Sequence, residues 1–215
     1  MPHRIVEVKP HSRDRVRVTL SGGRFFTIPA KKGDHLACGQ DLPDAEVERL
    51  DRIDQYFRGR DRAMWFIARR ERSRHEVDAA LAARGIAPSI RAGILGELKD
   101  LGLIDDLRFA REFVRTKAEL RFLGPHRLRF DLRRRGVARA VIDKAIDEAF
   151  HDETSQVDRA RALVERKTRG AFVDGRVVRR MADLLKRRGY DYEVVNQVTI
   201  ELLHRADGQL SPNDE

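Results

Sequence analysis

Two adjacent carboxylates, Asp105 and Asp106, are the side chains whose type and spacing come nearest to chemistry. Side by side they could hold Mg²⁺ or share a proton, the arrangement a metal-dependent nuclease would use. They follow Gly102-Leu103-Ile104 and precede a helical segment that opens around Phe109. At such a place an Asp side chain accepts from free backbone N–H groups and favours the helix dipole, so capping is the preferred reading of both. His35 and Cys38 have a metal-like H-x2-C spacing, but a structural zinc needs four ligands and the neighbouring sequence supplies no others. No phosphate-cradling Gly-rich run ends in Gly-Lys-Ser/Thr, and no Ser or Cys stands in a nucleophile elbow. The expectation is a protein without catalytic residues, metal or cofactor.

The elements around these residues repeat. Val77-x3-Leu81-x2-Arg84-Gly85-Ile86, Leu128-x3-Leu132-x2-Arg135-Gly136-Val137 and Met181-x3-Leu185-x2-Arg188-Gly189-Tyr190 share one frame at intervals of 51 and 53 residues. Self-similarity at about this period marks stacked units that cannot bury their apolar faces alone. In each copy a leading helix (Trp65 and Phe66; Phe109 and Phe113; Ala160 and Leu163) precedes the helix that ends at the shared glycine. A third helix follows, with Ile90, Val141 and Val194 in step. Glycine accepts the left-handed conformation that ends a helix, so Gly85, Gly136 and Gly189 are expected to be C-terminal caps.

Upstream, Val16, Val18 and Leu20 alternate before Gly22-Gly23, and Phe26 and Ile28 alternate after it, which predicts a β-hairpin. Residues 41–54 carry six carboxylates, with Val47, Leu50 and Ile53 at helical spacing, and read as a short acidic helix and bridge. The expected fold is mainly α: three tandem three-helix repeats in an elongated array, preceded by a small N-terminal β-hairpin. The expected divisions are residues 1–58, repeats at 59–104, 105–155 and 156–206, and a disordered tail at 207–215.

The chain of 215 residues is 41% hydrophobic and 37% charged, a thin core under a charged exterior. It carries a formal charge of +9, with 36 Arg against 8 Lys. Guanidinium forks grip phosphate and carboxylate alike, so this bias suits a polyanion or an acidic protein. A single cysteine excludes an intramolecular disulfide, no apolar leader follows Met1, and no window approaches a membrane span. A reduced cytosol, no membrane association and a monomeric state are the expectations.

The basic residues fall on two kinds of helix. Arg108, Arg111 and Arg115 share a face with Glu112 and Glu119, a self-neutralising surface. The middle helix of the second copy is different: Arg127, Arg129, Arg133 and Arg134 surround Phe130 with only Asp131 among them, while Leu128 and Leu132 point inward. At 100° per residue Phe130 lies almost opposite Leu128. It is either an interface anchor or base-stacking platform, or a residue packed on a neighbouring repeat or the hairpin. Arg179, Arg180 and Arg187, with Lys186 and Arg188, continue the basic character in the third copy, as Arg69, Arg70, Arg72 and Arg74 do in the first.

These residues resemble the RecX family of bacterial recombinase regulators. The matching stretches are Arg70-Glu71-Arg72-Ser73-Arg74-His75-Glu76 with Leu81-Ala82-Ala83-Arg84-Gly85, Leu98 through Asp106 with Arg108-Phe109-Ala110, and Gly124-Pro125-His126-Arg127-Leu128 with Leu132 through Val137. The similarity is good from about Ala63 to Phe150 and fades through the third copy. It implies three tandem three-helix repeats and a non-enzymatic role, that of binding the RecA filament on single-stranded DNA and damping its ATPase, strand-exchange and co-protease functions. It also implies that the Arg-rich middle helices face RecA or DNA, with bare single-stranded DNA a weak or filament-dependent partner. Leu107 stands where relatives often carry a polar residue. Two other readings stand beside this one: a helix-turn-helix-like DNA-binding transcriptional regulator, and a nuclease using Asp105 and Asp106.

Overall fold

The computed structural model describes residues 3–151, 153–169 and 172–209. The chain divides into two compact units, Met1–Arg72 with Glu76–Ile104, and Ser73–His75 with Asp105–Glu215.

The first unit begins with an antiparallel sheet of β1 (His3–Ser12), β2 (Arg15–Leu20), β3 (Phe25–Pro29) and β4 (Asp41–Leu42), in the order β3-β2-β1-β4. The expected hairpin is β2–β3, with Val18 opposite Phe26 and Val16 opposite Ile28. Gly22 and Gly23 both take positive φ at its turn. Beyond that hairpin the sheet has two further strands. A register shift between Ile5 and Glu7 breaks the alternation of β1, so Ile5 and Val8, three residues apart, both meet the core, and period-two patterning does not reveal the strand.

After α1 (Ala30–Gly33), the 24-residue helix α2 (Asp44–Ile67) joins what sequence separates into an acidic helix and a leading helix. Val47 and Leu50, near its start, complete the core under the sheet with Ile5, Leu20, Phe26 and Ile28. Farther on, Ala63 joins a second core with Val77 and Leu81 of α3 (Arg74–Ala82) and Ile94, Leu95 and Leu98 of α4 (Pro88–Asp100). Gly59 permits a close approach there, since a Cβ at this position would lie 2.7 Å from Ile94 Cδ1. Polar bonds fix α2 to the strands. The buried Asp54 accepts the Thr27 amide at 2.9 Å and pairs with Arg58 at 2.8 Å, and Asp61 takes both nitrogens of the Arg15 fork at 2.5 and 2.9 Å.

The second unit holds two more three-helix cores. Phe109, Ala110 and Val114 of α5 (Asp106–Arg121) meet Leu128 and Leu132 of α6 (Pro125–Arg133) and Ile142, Ala145 and Ile146 of α7 (Arg139–Ala149). Ala160 and Leu163 of α8 (Glu153–Thr168) meet Met181 and Leu185 of α9 (Gly175–Arg188) and Val194, Val195 and Val198 of α10 (Tyr192–Gln209). Each fully buried aliphatic side chain contributes roughly 1.5–3 kcal/mol, so these small cores depend on a few residues each. Gly85, Gly136 and Gly189 have φ of 73°, 70° and 84°, the left-handed values that end a helix. Helix α10 runs to Gln209, into the segment expected as a tail, and 210–215 lie outside the described residues. Among the described residues no helix is long and apolar enough to cross a membrane.

Candidate interaction surface

The start of α6 is fixed by the end of α9. Gly124 caps α6 without a side chain, and its N–H donates instead to Arg188 O at 2.8 Å, while the His126 N–H donates to Gly189 O at 3.1 Å. A helix C-terminus thereby satisfies the orphan donors of a helix N-terminus, with the two dipoles head to tail. His126 Nε2 lies 2.5 Å from Asp191, and the Arg188 guanidinium donates to Arg121 O, beside the same junction. The end of α6 is treated in the same way: Arg135 O accepts the Ser73 hydroxyl at 2.7 Å, and Gly136 lies against His75.

With both ends held, α6 presents one face outward. Leu128 and Leu132 are fully buried, whereas Phe130 is 51% exposed. The Arg127 and Arg134 guanidiniums lie 5.6 and 5.8 Å from its ring centroid, within cation–π range. The four arginines are not equivalent. Arg127 pairs with Asp131 at 3.2 Å and Arg129 with Asp143 at 3.5 Å, so those charges are partly neutralised. Arg133 and Arg134 are exposed and have no carboxylate in reach among the described residues. Arg135 leaves this face to lie over Phe113.

On α9, Arg179, Arg180 and Arg187 are exposed. Arg179 Nε reaches Gly175 O at 3.4 Å, while Arg180 and Arg187 lack a carboxylate among the described residues. The α5 face carries ion pairs, one within the helix and one from a neighbour: Arg115 pairs with Glu112 at 2.7 Å, and Arg111 with Glu148 of α7, a partner its own helix does not reveal, through two bonds of 2.6 Å.

The carboxylate pair does not converge. Asp105 accepts from the Leu107 and Arg108 amides at 2.8 and 3.1 Å, and these bonds, that from Arg108 foremost, hold its carboxyl below the usual Asp range. Asp106 accepts the Arg74 N–H at 2.7 Å. His35 Nε2 lies 3.4 Å from Glu46, and the Cys38 thiol donates to Val6 O at 3.1 Å. Among the described residues no three His, Cys, Asp or Glu side chains gather as metal ligands would.

Sequence reasoning takes Trp65 only as an apolar position of the first leading helix and misses its exposure, which is 46%. Arg62 and Arg69 lie 4.5 and 3.8 Å from its ring centroid. The signal was present: Arg62-x2-Trp65-x3-Arg69 repeats the spacing of Arg127-x2-Phe130-x3-Arg134.

Comparison with known proteins agrees with this architecture. A family model described as RecX, second three-helix domain, matches residues 105–146, which hold α5, α6 and most of α7. The chain is 42% identical over 137 residues to the regulatory protein RecX of Halorhodospira halophila, covering 63% of this chain and 83% of that one. It is 32% identical over 167 residues to RecX of a Mycobacterium species, strain JLS, covering 74% and 87%. A crystal structure of a regulatory protein RecX superposes with a TM-score of 0.67 at 20% identity, covering 92% of this chain and 98% of that one, which supports the same fold. With extended similarity in sequence and the same mainly helical fold behind an N-terminal sheet, the chain belongs to the RecX family of regulatory proteins.

Proposed function

We propose that this protein binds the RecA filament on single-stranded DNA and restrains its ATPase, strand-exchange and co-protease activities without catalysing a reaction itself. It acts in the cytosol as a monomer, and its repeats at 59–104, 105–155 and 156–206 engage the filament together. The observation that carries this reading is α6, where a half-exposed Phe130 sits beside the unpaired Arg133 and Arg134 on a helix anchored at both ends. An aromatic framed by arginines, on a rigid element, is the composition of a binding hot spot. Arg180 and Arg187 of α9 supply further guanidiniums to the filament contact. Several modest contacts on one chain act together through effective concentration, and a ligand that prefers one filament state shifts the balance toward it.

RecA ATP hydrolysis on single-stranded DNA, with the purified protein added at near-stoichiometric levels, tests this reading. Inhibition is expected, and its absence at any ratio rejects the reading. Arg133→Glu with Arg134→Glu should weaken inhibition at least tenfold while helicity is retained; unchanged potency removes α6 from the contact.

A further inference from the structure

We propose that Arg62, Trp65 and Arg69, at the end of α2, form a stacking site for the unpaired bases of single-stranded nucleic acid. The proposal deepens the filament reading, on which its biological setting rests, by naming side chains that touch the strand.

Elsewhere in this chain Arg17 over Phe25, Arg134 over Phe130 and Arg166 over Phe122 also have no carboxylate in reach among the described residues, whereas three other ring-bound arginines are each held by one, and none of these rings has two uncompensated guanidiniums. Arg15 lies over Phe57 and is held by Asp61, Arg24 lies over Phe26 and is held by Asp51, and Arg127 lies over Phe130 and is held by Asp131. In each case the carboxylate neutralises the guanidinium. At Trp65 two guanidiniums flank one indole at 4.5 and 3.8 Å, and among the described residues neither has a carboxylate in reach. The Arg62 Nε is shielded and has no acceptor among the described residues, so the ring rather than an ion pair sets its orientation. The site thus gathers three planar groups, Arg62 and Trp65 on the last turns of α2 and Arg69 on the turn just past its C-cap Ala68, and carries charge that nothing within it balances.

Its missing partner must supply negative charge and a planar face. A carboxylate of a protein partner would meet the guanidinium forks end-on and would need neither their planes nor the indole. A nucleotide supplies both: phosphate oxygens for the N–H groups, and a base that stacks on the indole or on the outer plane of a guanidinium. In a duplex those faces are already stacked on one another, so an unpaired strand is the ligand. The net charge of +9 draws any such polyanion toward the protein.

Trp65 is the chain's only tryptophan, so its emission reports this site alone. The full-length protein is titrated with an oligothymidylate of about 20 nucleotides, long enough to cover one or more stacking platforms, at low salt and without recombinase or nucleoside triphosphate. Saturable quenching of the indole emission is expected, together with a matching rise in anisotropy of the labelled oligonucleotide. The logarithm of affinity should fall against the logarithm of salt with a slope of about −0.7 for each phosphate neutralised. In the anisotropy assay Trp65→Ala and the pair Arg62→Gln, Arg69→Gln should each weaken binding about tenfold, as loss of one stacked base predicts. Trp65→Phe, which keeps an aromatic face, should retain most of the affinity, and all variants should keep the wild-type melting temperature.

The proposal is overturned if the emission is not quenched, if the variants bind the oligonucleotide as the wild type does, or if duplex of the same length binds equally well. Quenching by RecA alone, with none by the strand, would instead make Trp65 a protein contact. ATPase inhibition measured on the same preparations separates the two readings. Inhibition without quenching rejects the stacking site and spares the filament reading, and quenching without inhibition does the reverse.

Discussion

Gly189 lies so close to Arg127 that a Cβ at position 189 would stand 2.6 Å from the Arg127 Cβ and would overlap its amide nitrogen. Gly136 meets His75 in the same way, with 2.8 Å between the added Cβ and His75 Cδ2, whereas nothing lies within 4 Å at Gly85. The three glycines share a sequence frame and a positive φ, yet only two have a segment seated against them. Asparagine tolerates the left-handed conformation better than other side chains, so Gly85→Asn should cost about 1 kcal/mol or less. Gly136→Asn and Gly189→Asn add a collision and should cost at least about 2 kcal/mol more. Denaturant unfolding of the three variants checks this. Equal losses would mean that the junctions do not contribute to stability.

Asp105 accepts two amides at the start of α5, and these bonds depress its pKa. A depressed carboxyl contributes stability that is present above its unfolded value, about 3.9, and is lost as pH falls through the folded one. Asp105→Ala should therefore destabilise the protein by about 1 kcal/mol at about pH 7 and flatten its pH dependence below about pH 4. Asp105→Asn, which keeps the accepting oxygen, should recover most of the loss at neutral pH. Failure of Asn to rescue would argue that the charge, rather than the cap, matters.

Much of the helical part was legible because its signals are local. Val77, Leu81, Leu128, Leu132, Met181 and Leu185 are spaced to bury one face, and each series stops at a glycine with left-handed φ. What stayed hidden depends on partners distant in sequence. Strand β1 has a broken alternation and is stabilised by pairing with β2 and β4, and β4 is two residues long. The stretch Phe57-Arg58-Gly59-Arg60-Asp61-Arg62 lacks apolar periodicity and contains a glycine, so the continuity of α2 follows from Ile94 packing on Gly59 and from Arg15 holding Asp61. On α6 the exposure of Phe130 could be read from the helical wheel, but the division between paired Arg127 and Arg129 and unpaired Arg133 and Arg134 could not. Asp143, which neutralises Arg129, comes from α7.

Tyr190 follows the last of the three glycines and is buried, with no hydrogen-bond partner for its hydroxyl among the described residues. Burial pushes its pKa up to about 12. Because the phenolate is disfavoured in the folded state, the associated stability is intact below the unfolded value of about 10 and is lost as pH rises toward the folded one. Tyr190→Phe removes an unsatisfied polar atom and should leave neutral-pH stability unchanged or raise it by about 1 kcal/mol. Its advantage over wild type should grow between about pH 10 and about pH 12, as measured by thermal unfolding across that range. A loss of stability at neutral pH would mean that the hydroxyl has a partner.

Paired and unpaired arginines differ in what they are still free to bind. Arg111 and Arg115 are exposed, as Arg133 and Arg134 are, but Glu148 and Glu112 already occupy their guanidiniums. To bind a new anion they would first have to leave those carboxylates, while solvent-exposed pairs of this kind add little to the stability of the fold. Arg111→Ala with Arg115→Ala should therefore leave stability little changed and RecA inhibition within about twofold of wild type. Arg133→Ala with Arg134→Ala should leave stability unchanged but lower inhibitory potency about tenfold or more, and should flatten its salt dependence by roughly one counterion for each phosphate contact removed. Comparing the two double variants in one ATPase titration separates local neutralisation from gross charge, since each removes the same two positive charges. Equal losses of potency would show that the filament responds to total charge and not to this face of α6.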